Sequence, residues 1–295
     1  MKYIDAKIII THNKHPNVWF GNKYNMNIYR GCSHSCIYCD SRSNCYQIED
    51  FDEIAAKKDA LKIIERELKS KRNTGSICTG AMSDPYNPLE KRLFLTRGAL
   101  ELVNSYGFGI NIITKSDIII RDIDILKDIN RHSPVCIGIT ITAAKDSLSQ
   151  NIEPLSPSSS RRFNAIAELS RNGIYAGILM MPILPFISDN TENIISIIKK
   201  GTECGAKYIY PYFGVTLRSG NREYFYHKLD EIYPGISEKY KIHFGYSYEC
   251  LSPNYRELWR NFKKECNKYN IVYKMSDIIK GVEKSVQIKQ LSIFS

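Results

Sequence analysis

No stretch of this 295-residue chain is long and apolar enough to read as a membrane span. The longest apolar run, "YAGILMMPILPFI" at 175–187, is short and interrupted by Pro182 and Pro185, so it fits a buried strand with its exit loop. The opening "MKYIDAKIIITHN" carries no signal-peptide cleavage region, and a cytoplasmic protein is the expectation. Internal repeats and low-complexity segments are absent. Acidic residues are in deficit. The 31 Asp and Glu against 41 Lys and Arg leave a formal charge of +10, compatible with a polyanionic partner such as nucleic acid. The lysines are spread along the chain, however, and many basic proteins bind no nucleic acid. Tryptophan is scarce, at 2, whereas tyrosine reaches 20; most of these rings will pack at the core's edge, and exposed ones offer stacking surfaces for bases.

What is present is ordinary for a globular protein. With 43% apolar and 24% charged residues, the chain has room for one α/β barrel or two average domains. Beyond residue 24, short apolar strands alternate with amphipathic helices. The strand candidates span 25–30, 75–81, 108–114, 135–142, 174–182 and 207–213. The helices between them carry Ile54, Leu61, Ile64 and Leu68; Ile123, Leu126 and Ile129; Ala165, Ile166 and Leu169; and Ile194, Ile195 and Ile198 after the cap-rich "SDNTEN". Six strand–helix units in series imply a parallel sheet, too few for a closed eight-fold barrel but enough for a curved, partly open one. The fold class is therefore α/β, a partial (β/α)6 barrel of TIM type with a mainly helical C-terminal extension. The division runs as a lead-in over 1–24, the barrel over 25–215 and the extension over 216–295. In parallel barrels the chemistry sits where strands end and loops begin.

Nine cysteines in a reducing compartment remain mostly thiols, so a tight cluster of them points to metal or redox chemistry. "RGCSHSCIYCDSR", directly after the first strand, sets Cys32, Cys36 and Cys39 close together. A four-iron cube takes one outside ligand per iron, so three thiolates leave one iron free to bind a small molecule. A zinc site or a closed electron-transfer cluster would need a fourth ligand, for which Cys45 stands nearby, or His34 in the zinc case.

The "CSHSCIYC" loop resembles the Cys-x3-Cys-x2-Cys loop of the radical S-adenosylmethionine (SAM) superfamily, with Tyr38 as its aromatic residue. "NIYRGCSHSCIYC", "GAMSDPYNPLEK", "TKSDIIIRDIDIL", "IEPLSPSSSRR" and "MPILPFISDN" extend the likeness over roughly 25–215, toward the branch holding spore photoproduct lyase. The resemblance implies a [4Fe–4S] cluster on Cys32, Cys36 and Cys39. It also implies reductive cleavage of SAM to a 5′-deoxyadenosyl radical and hydrogen abstraction from a substrate. An electron donor is implied too, a reductase or a protein of flavodoxin or ferredoxin type. The substrate is nucleic acid by kinship and charge, or else a peptide, protein or small molecule. For SAM itself, the resemblance puts Ser83 and Asp84 near the methionine amine and Lys115 at its carboxylate. Thr140 and Thr142 fall at the carboxylate or ribose, Glu153 at the ribose or amine, and "MPILP" at the adenine. Arg161 and Arg162 occupy a helix's first turn, where the dipole favours acids, which hints that one of them faces an anion. Ala81 stands where the lyase has its hydrogen-donating cysteine. Cys78 and Cys136 read as small core residues, while Cys204, Cys250 and Cys266 are too scattered for a second cluster.

Overall fold

Strands buried on both faces read as unbroken apolar runs, and the centre of this sheet follows that rule. The computed structural model describes residues 2–16 and 18–291, with side chains through 286. Its elements are β1 (Lys2–Ile4), β2 (Ile10–His12), β3 (Tyr24–Met26), β4 (Tyr29–Arg30), β5 (Ala55–Lys57), α1 (Ala60–Ser70), β6 (Ser76–Thr79), α2 (Glu90–Leu93), α3 (Leu95–Ser105), β7 (Gly109–Thr114), α4 (Ile123–Ile129) and β8 (Val135–Thr140). They continue with α5 (Asp146–Ile152), α6 (Ser159–Arg171), β9 (Tyr175–Met180), α7 (Thr191–Glu203), β10 (Ile209–Pro211), β11 (Gly214–Thr216), α8 (Asn221–Ile232), α9 (Ile236–Phe244), β12 (Glu249–Leu251), α10 (Tyr255–Lys268) and α11 (Met275–Leu291).

Six parallel strands stand side by side in chain order, β3–β6–β7–β8–β9–β10, and β2 joins antiparallel at the β3 edge. This is a partial (β/α)6 barrel. Helices fill the connections, as parallel neighbours demand. Their apolar stripes face the sheet: in α7, Ile194, Ile197 and Ile198 are fully buried, and the Asn190 side chain caps its start by accepting from the Asn193 amide at 2.9 Å.

Three sequence expectations are revised. The stretch 25–30 is not one strand, because β3 pairs with β6 while β4 turns away to pair with β5 in a separate three-stranded sheet, β1–β5–β4. Ile54 precedes β5 and lies outside α1. The lead-in also contributes strands, β1 to the small sheet and β2 to the barrel sheet.

Register aligns Cys78, Asn111, Cys136 and Tyr175 across β6–β9. The Cys136 thiol meets the Tyr208 hydroxyl at 3.6 Å, and Cys136 packs with Leu179, Phe20 from the N-terminal segment, and Ile278 and Val282 from α11. One end of the barrel is therefore stoppered with apolar side chains. Chemistry is left to the other end, where the strands finish.

Candidate active site at the cysteine loop

Backbone geometry gives the cysteine loop its shape. Gly31 opens it at φ +76°, and a Cβ there would stand 2.6 Å from the Glu53 carbonyl oxygen, so only glycine fits. Ser35 reverses the chain at φ 50°. The Cys32 amide donates to the Phe51 carbonyl (2.8 Å) and the Ile37 amide to that of Ile152 (3.0 Å). Arg42 closes the loop, its guanidinium 4.8 Å from the Phe51 ring and 4.1 Å from that of Tyr224, and paired with Asp52.

Two tyrosines hang this loop on buried carboxylates. Tyr29, at the loop's entrance, donates to Glu90, which is fully buried and also pairs with Arg121 at 3.0 Å. Tyr38, inside it, donates to Glu153. Glu153 also accepts from Thr142 (3.1 Å) and forms an ion pair with Arg162 Nη1 at 2.5 Å, both side chains being wholly inaccessible. Burial would raise the Glu153 pKa; Arg162 first, then Lys115 and the Tyr38 hydroxyl, outweigh it and hold the carboxyl below its ordinary 4.5. The hint at Arg161 and Arg162 is met twice over, since Arg161 pairs with Asp117 at 2.6 Å.

Cys32, Cys36 and Cys39 line one cavity together with Ser83, Asp84, Lys115 and Thr140. Burial pushes the Cys32 thiol up to about 12 and Cys36 to about 11, so these sulfurs hold their protons until a metal displaces them. No fourth cysteine joins. Cys45 is exposed, its sulfur 3.7 Å from Arg218 Nη1. His34 lines the cavity but turns Nδ1 toward Asp84 at 3.4 Å, and burial keeps its pKa low. Among the described residues, no three His, Cys, Asp or Glu side chains gather as ligands of a single ion. Three thiols spread around a cavity suit a cluster that takes one thiolate per iron.

Several candidates are committed to the scaffold. The Ser83 hydroxyl donates to the Gly31 carbonyl. Asp84 accepts from Thr114 (2.6 Å), the Lys115 amide (2.8 Å) and the Tyr86 amide (2.9 Å). Glu153 is interior rather than on a surface loop, and Thr142 turns to it while Thr140 lines the cavity, so the two threonines part company. Lys115 differs. Its ammonium sits 5.6 Å from the Tyr38 ring centroid and makes no hydrogen bond or ion pair among the described residues. Burial would lower its pKa, and the negative groups nearby, Cys36 when ionised and the Glu153 carboxylate, act the other way and leave it raised.

A second cavity of about 460 Å³ opens from the first, with Cys39, Ser41, Ala81 and Met82 common to both. Its far wall was not visible in the sequence. The antiparallel β11–β12 pair supplies Val215, Thr216 and Glu249, the barrel adds Met181, Pro182 and Tyr212, and the cysteine loop adds Asp40 and Tyr46. The Tyr212 hydroxyl is buried without a hydrogen-bond partner, and burial, then Glu249, pushes its pKa up to about 12. The signal available for it was the alternation Tyr208, Tyr210, Tyr212 along the sixth strand.

Residues 26–198 match the model of the radical SAM superfamily. The chain belongs to this superfamily. It is similar to the uncharacterized protein MJ0683 of Methanocaldococcus jannaschii, 34% identical over 241 residues, covering 81% of this chain and 85% of that one. A second relative, the uncharacterized protein Mb2609c of Mycobacterium bovis, is 26% identical over 258 residues, covering 84% and 75%. Among solved structures the fold is similar to spore photoproduct lyase complexed with dinucleoside spore photoproduct, with TM-score 0.63, 12% identity, and 90% of this chain and 79% of that one covered. It is also similar to the radical SAM methyltransferase TsrM of Kitasatospora setae with cobalamin and [4Fe–4S] cluster bound, with TM-score 0.58, 7% identity, and 91% and 61% covered. This radical SAM protein is thus an enzyme that uses a [4Fe–4S] cluster and SAM. The chain's own groups fit them: three thiols without a fourth, a free ammonium beside them, and a Ser33 hydroxyl buried in the loop without a partner. No helix among the described residues is long and apolar enough to cross a membrane.

Proposed function

We propose that this enzyme abstracts a hydrogen atom from a nucleic-acid substrate whose reacting nucleotide enters the 460 Å³ cavity. The cluster and SAM, when bound, supply a 5′-deoxyadenosyl radical, and the protein supplies position and shelter from water. Cys32, Cys36 and Cys39 hold the iron. Lys115, charged and unpaired, holds the methionine carboxylate as a point charge. Ser83 and Asp84 act through the scaffold, the first fixing the loop at Gly31 and the second fixing Thr114 and the Lys115 backbone. Thr140 adds a hydroxyl to the cofactor's wall. Glu153, with Thr142 and Arg162, orients Tyr38 and through it the segment between Cys36 and Cys39.

The observation that carries the substrate reading is the lining of the second cavity. Tyr38, Tyr46 and Tyr212 with Met82 and Met181 suit a planar heterocycle, while Glu249 and the unpartnered Tyr212 hydroxyl suit its N–H edge. The net charge of +10 and the dinucleoside bound by the lyase of like fold agree with this. One observation favours a second reading: the cavity is lined by Glu249 and by no Lys or Arg, its other carboxylate, Asp40, being paired with Arg218 at 3.4 Å, and this also suits an amine-bearing peptide or small molecule.

The test uses anaerobically reconstituted protein, reductant and SAM, with ultraviolet-irradiated DNA, untreated DNA or a lysine-containing peptide added. Product formation from DNA, with 5′-deoxyadenosine rising above the substrate-free rate, is the expected result. Stimulation by the peptide alone would move the assignment to the second reading. Restored thymines would identify the reaction as lyase-like despite Ala81. The one-electron donor in this scheme is a reductase or a flavodoxin- or ferredoxin-type protein.

A further inference from the structure

We infer that the exposed face of α10 is a docking strip for the phosphate backbone of a single-stranded nucleic acid. The helix reads YRELWRNFKKECNK, and its two faces are unlike. Leu258, Phe262, Glu265 and Cys266 are buried, while Arg256, Arg260, Lys263 and Lys264 are exposed. Those four fall at i, i+4, i+7 and i+8, which places them along one side of the helix over about 12 Å. None of the four makes an ion pair among the described residues; the neighbouring Lys268, by contrast, pairs with Glu265 at 3.5 Å. Glu257 is exposed on the same helix and pairs with none of them.

Between the cations lies a shallow concavity of about 650 Å³ floored by Tyr255 and Trp259 and edged by Arg256, Arg260 and Lys263. Trp259 is braced from behind by Phe213 at 5.4 Å and Phe262 at 5.5 Å, and Lys263 Nζ lies 5.3 Å from its ring. Cations interleaved with half-buried aromatic rings are what a single strand uses, phosphates meeting charge and bases meeting rings. The strip also begins where it is needed. Tyr255 is 6.3 Å from Phe213, which follows Tyr212 at the same end of the barrel but turns its ring outward onto α10, so the strip runs from the level of the cavity down the outer layer. That cavity is lined by Glu249, by Asp40 already paired with Arg218 at 3.4 Å, and by no Lys or Arg, so a strand feeding a nucleotide into it must be gripped elsewhere. The inference deepens the nucleic-acid reading above and rests on it for the identity of the partner.

The experiment measures binding of a fluorescein-labelled, mixed-sequence 20-nucleotide single-stranded DNA to the reconstituted enzyme by anisotropy across a sodium chloride series. R256A/R260A/K263A is expected to weaken binding at least tenfold near 0.1 M salt and to reduce the salt slope by about 2, from three contacts at roughly 0.7 each. The control K7A/K58A/K62A alters the basic concavity beside α1 and should change affinity less than twofold. Equal losses in both triple variants, or none in the first, would overturn the inference. So would retention of the first variant's effect only on phosphatidylserine vesicles, since the strip would then serve a membrane surface. Substrate-free SAM cleavage should be unchanged in R256A/R260A/K263A. If oligonucleotide binding follows the strip while DNA yields no product, the substrate assignment fails and the docking strip stands.

Discussion

The two walls of the active-site cavity treat their polar groups in opposite ways. On the barrel wall, Asp84 accepts from Thr114 and neighbouring backbone, Glu153 and Arg162 pair with each other, and both members of that pair are wholly buried, with only Arg162 Nη2 left over. On the wall that the β11–β12 pair shares, Glu249 is exposed and the Tyr212 hydroxyl has no partner, although Asp40 beside them is held by Tyr46 and Arg218. Lys115 belongs to the barrel by position but to the second group by chemistry. A carboxylate near an active site is therefore not yet a ligand of anything. What separates a fixture from a working group is whether its bonding capacity is already filled, because an unfilled buried group is costly unless something arrives to fill it.

The comparison is sharpened first by the thiols. Cys32→Ala, Cys36→Ala or Cys39→Ala should each abolish the cluster and all 5′-deoxyadenosine formation, read by iron and sulfide content and product assay. Cys45→Ala should keep both, and its loss of the cluster would sink the three-thiol assignment.

Next in size is the fixed wall. Glu153→Ala strands the Arg162 guanidinium in the interior and should cost about 3–5 kcal/mol of stability in urea unfolding. Glu249→Ala on the open wall should fall within about 0.5 kcal/mol. Equal losses would erase the distinction. The pH dependence carries the same sign. Because the folded Glu153 carboxyl lies below its ordinary 4.5, its stabilising contribution is complete above that value and fades as pH falls through the folded pKa. The stability gap between the native protein and Glu153→Gln should accordingly narrow on acidification below about pH 4.5, as thermal unfolding would show.

Lys115→Met should weaken SAM binding about 10–100-fold, the worth of about 1.5–3 kcal/mol for a bond to a charged group, with cluster content unchanged. Equilibrium dialysis of the reconstituted protein measures it. The smallest effect belongs to Tyr212→Phe. It should raise substrate KM about fivefold, for roughly 1 kcal/mol, and leave substrate-free SAM cleavage untouched.

The sequence disclosed the elements whose physics is local. Strands β7, β8 and β9 were legible because burial on both faces makes them continuous apolar runs, and α6, α7 and α10 because their apolar spacing is helical. That the three cysteines share one cavity was foreshadowed by their spacing, while the cluster on them was implied by the family resemblance. Non-local pairing was not. The stretch around Ile54 continues as "AAKK", residues that favour helices, yet β5 is held as a strand by β1 and β4 on either side. β11 and β12 are separated by two helices, so nothing in either three-residue segment announces their pairing. The interior place of Glu153 was not legible because its three partners come from the cysteine loop, the segment after β8 and the start of α6. The arginine at the head of α6 was the one local clue.

Because Phe20, Ile278 and Val282 pack the foot of the barrel with apolar side chains, the two joined cavities lie at its other end. In the proposed scheme the cofactor fills the inner of the two, at the thiols, and the target the outer, so position rather than affinity would decide which of them loads first.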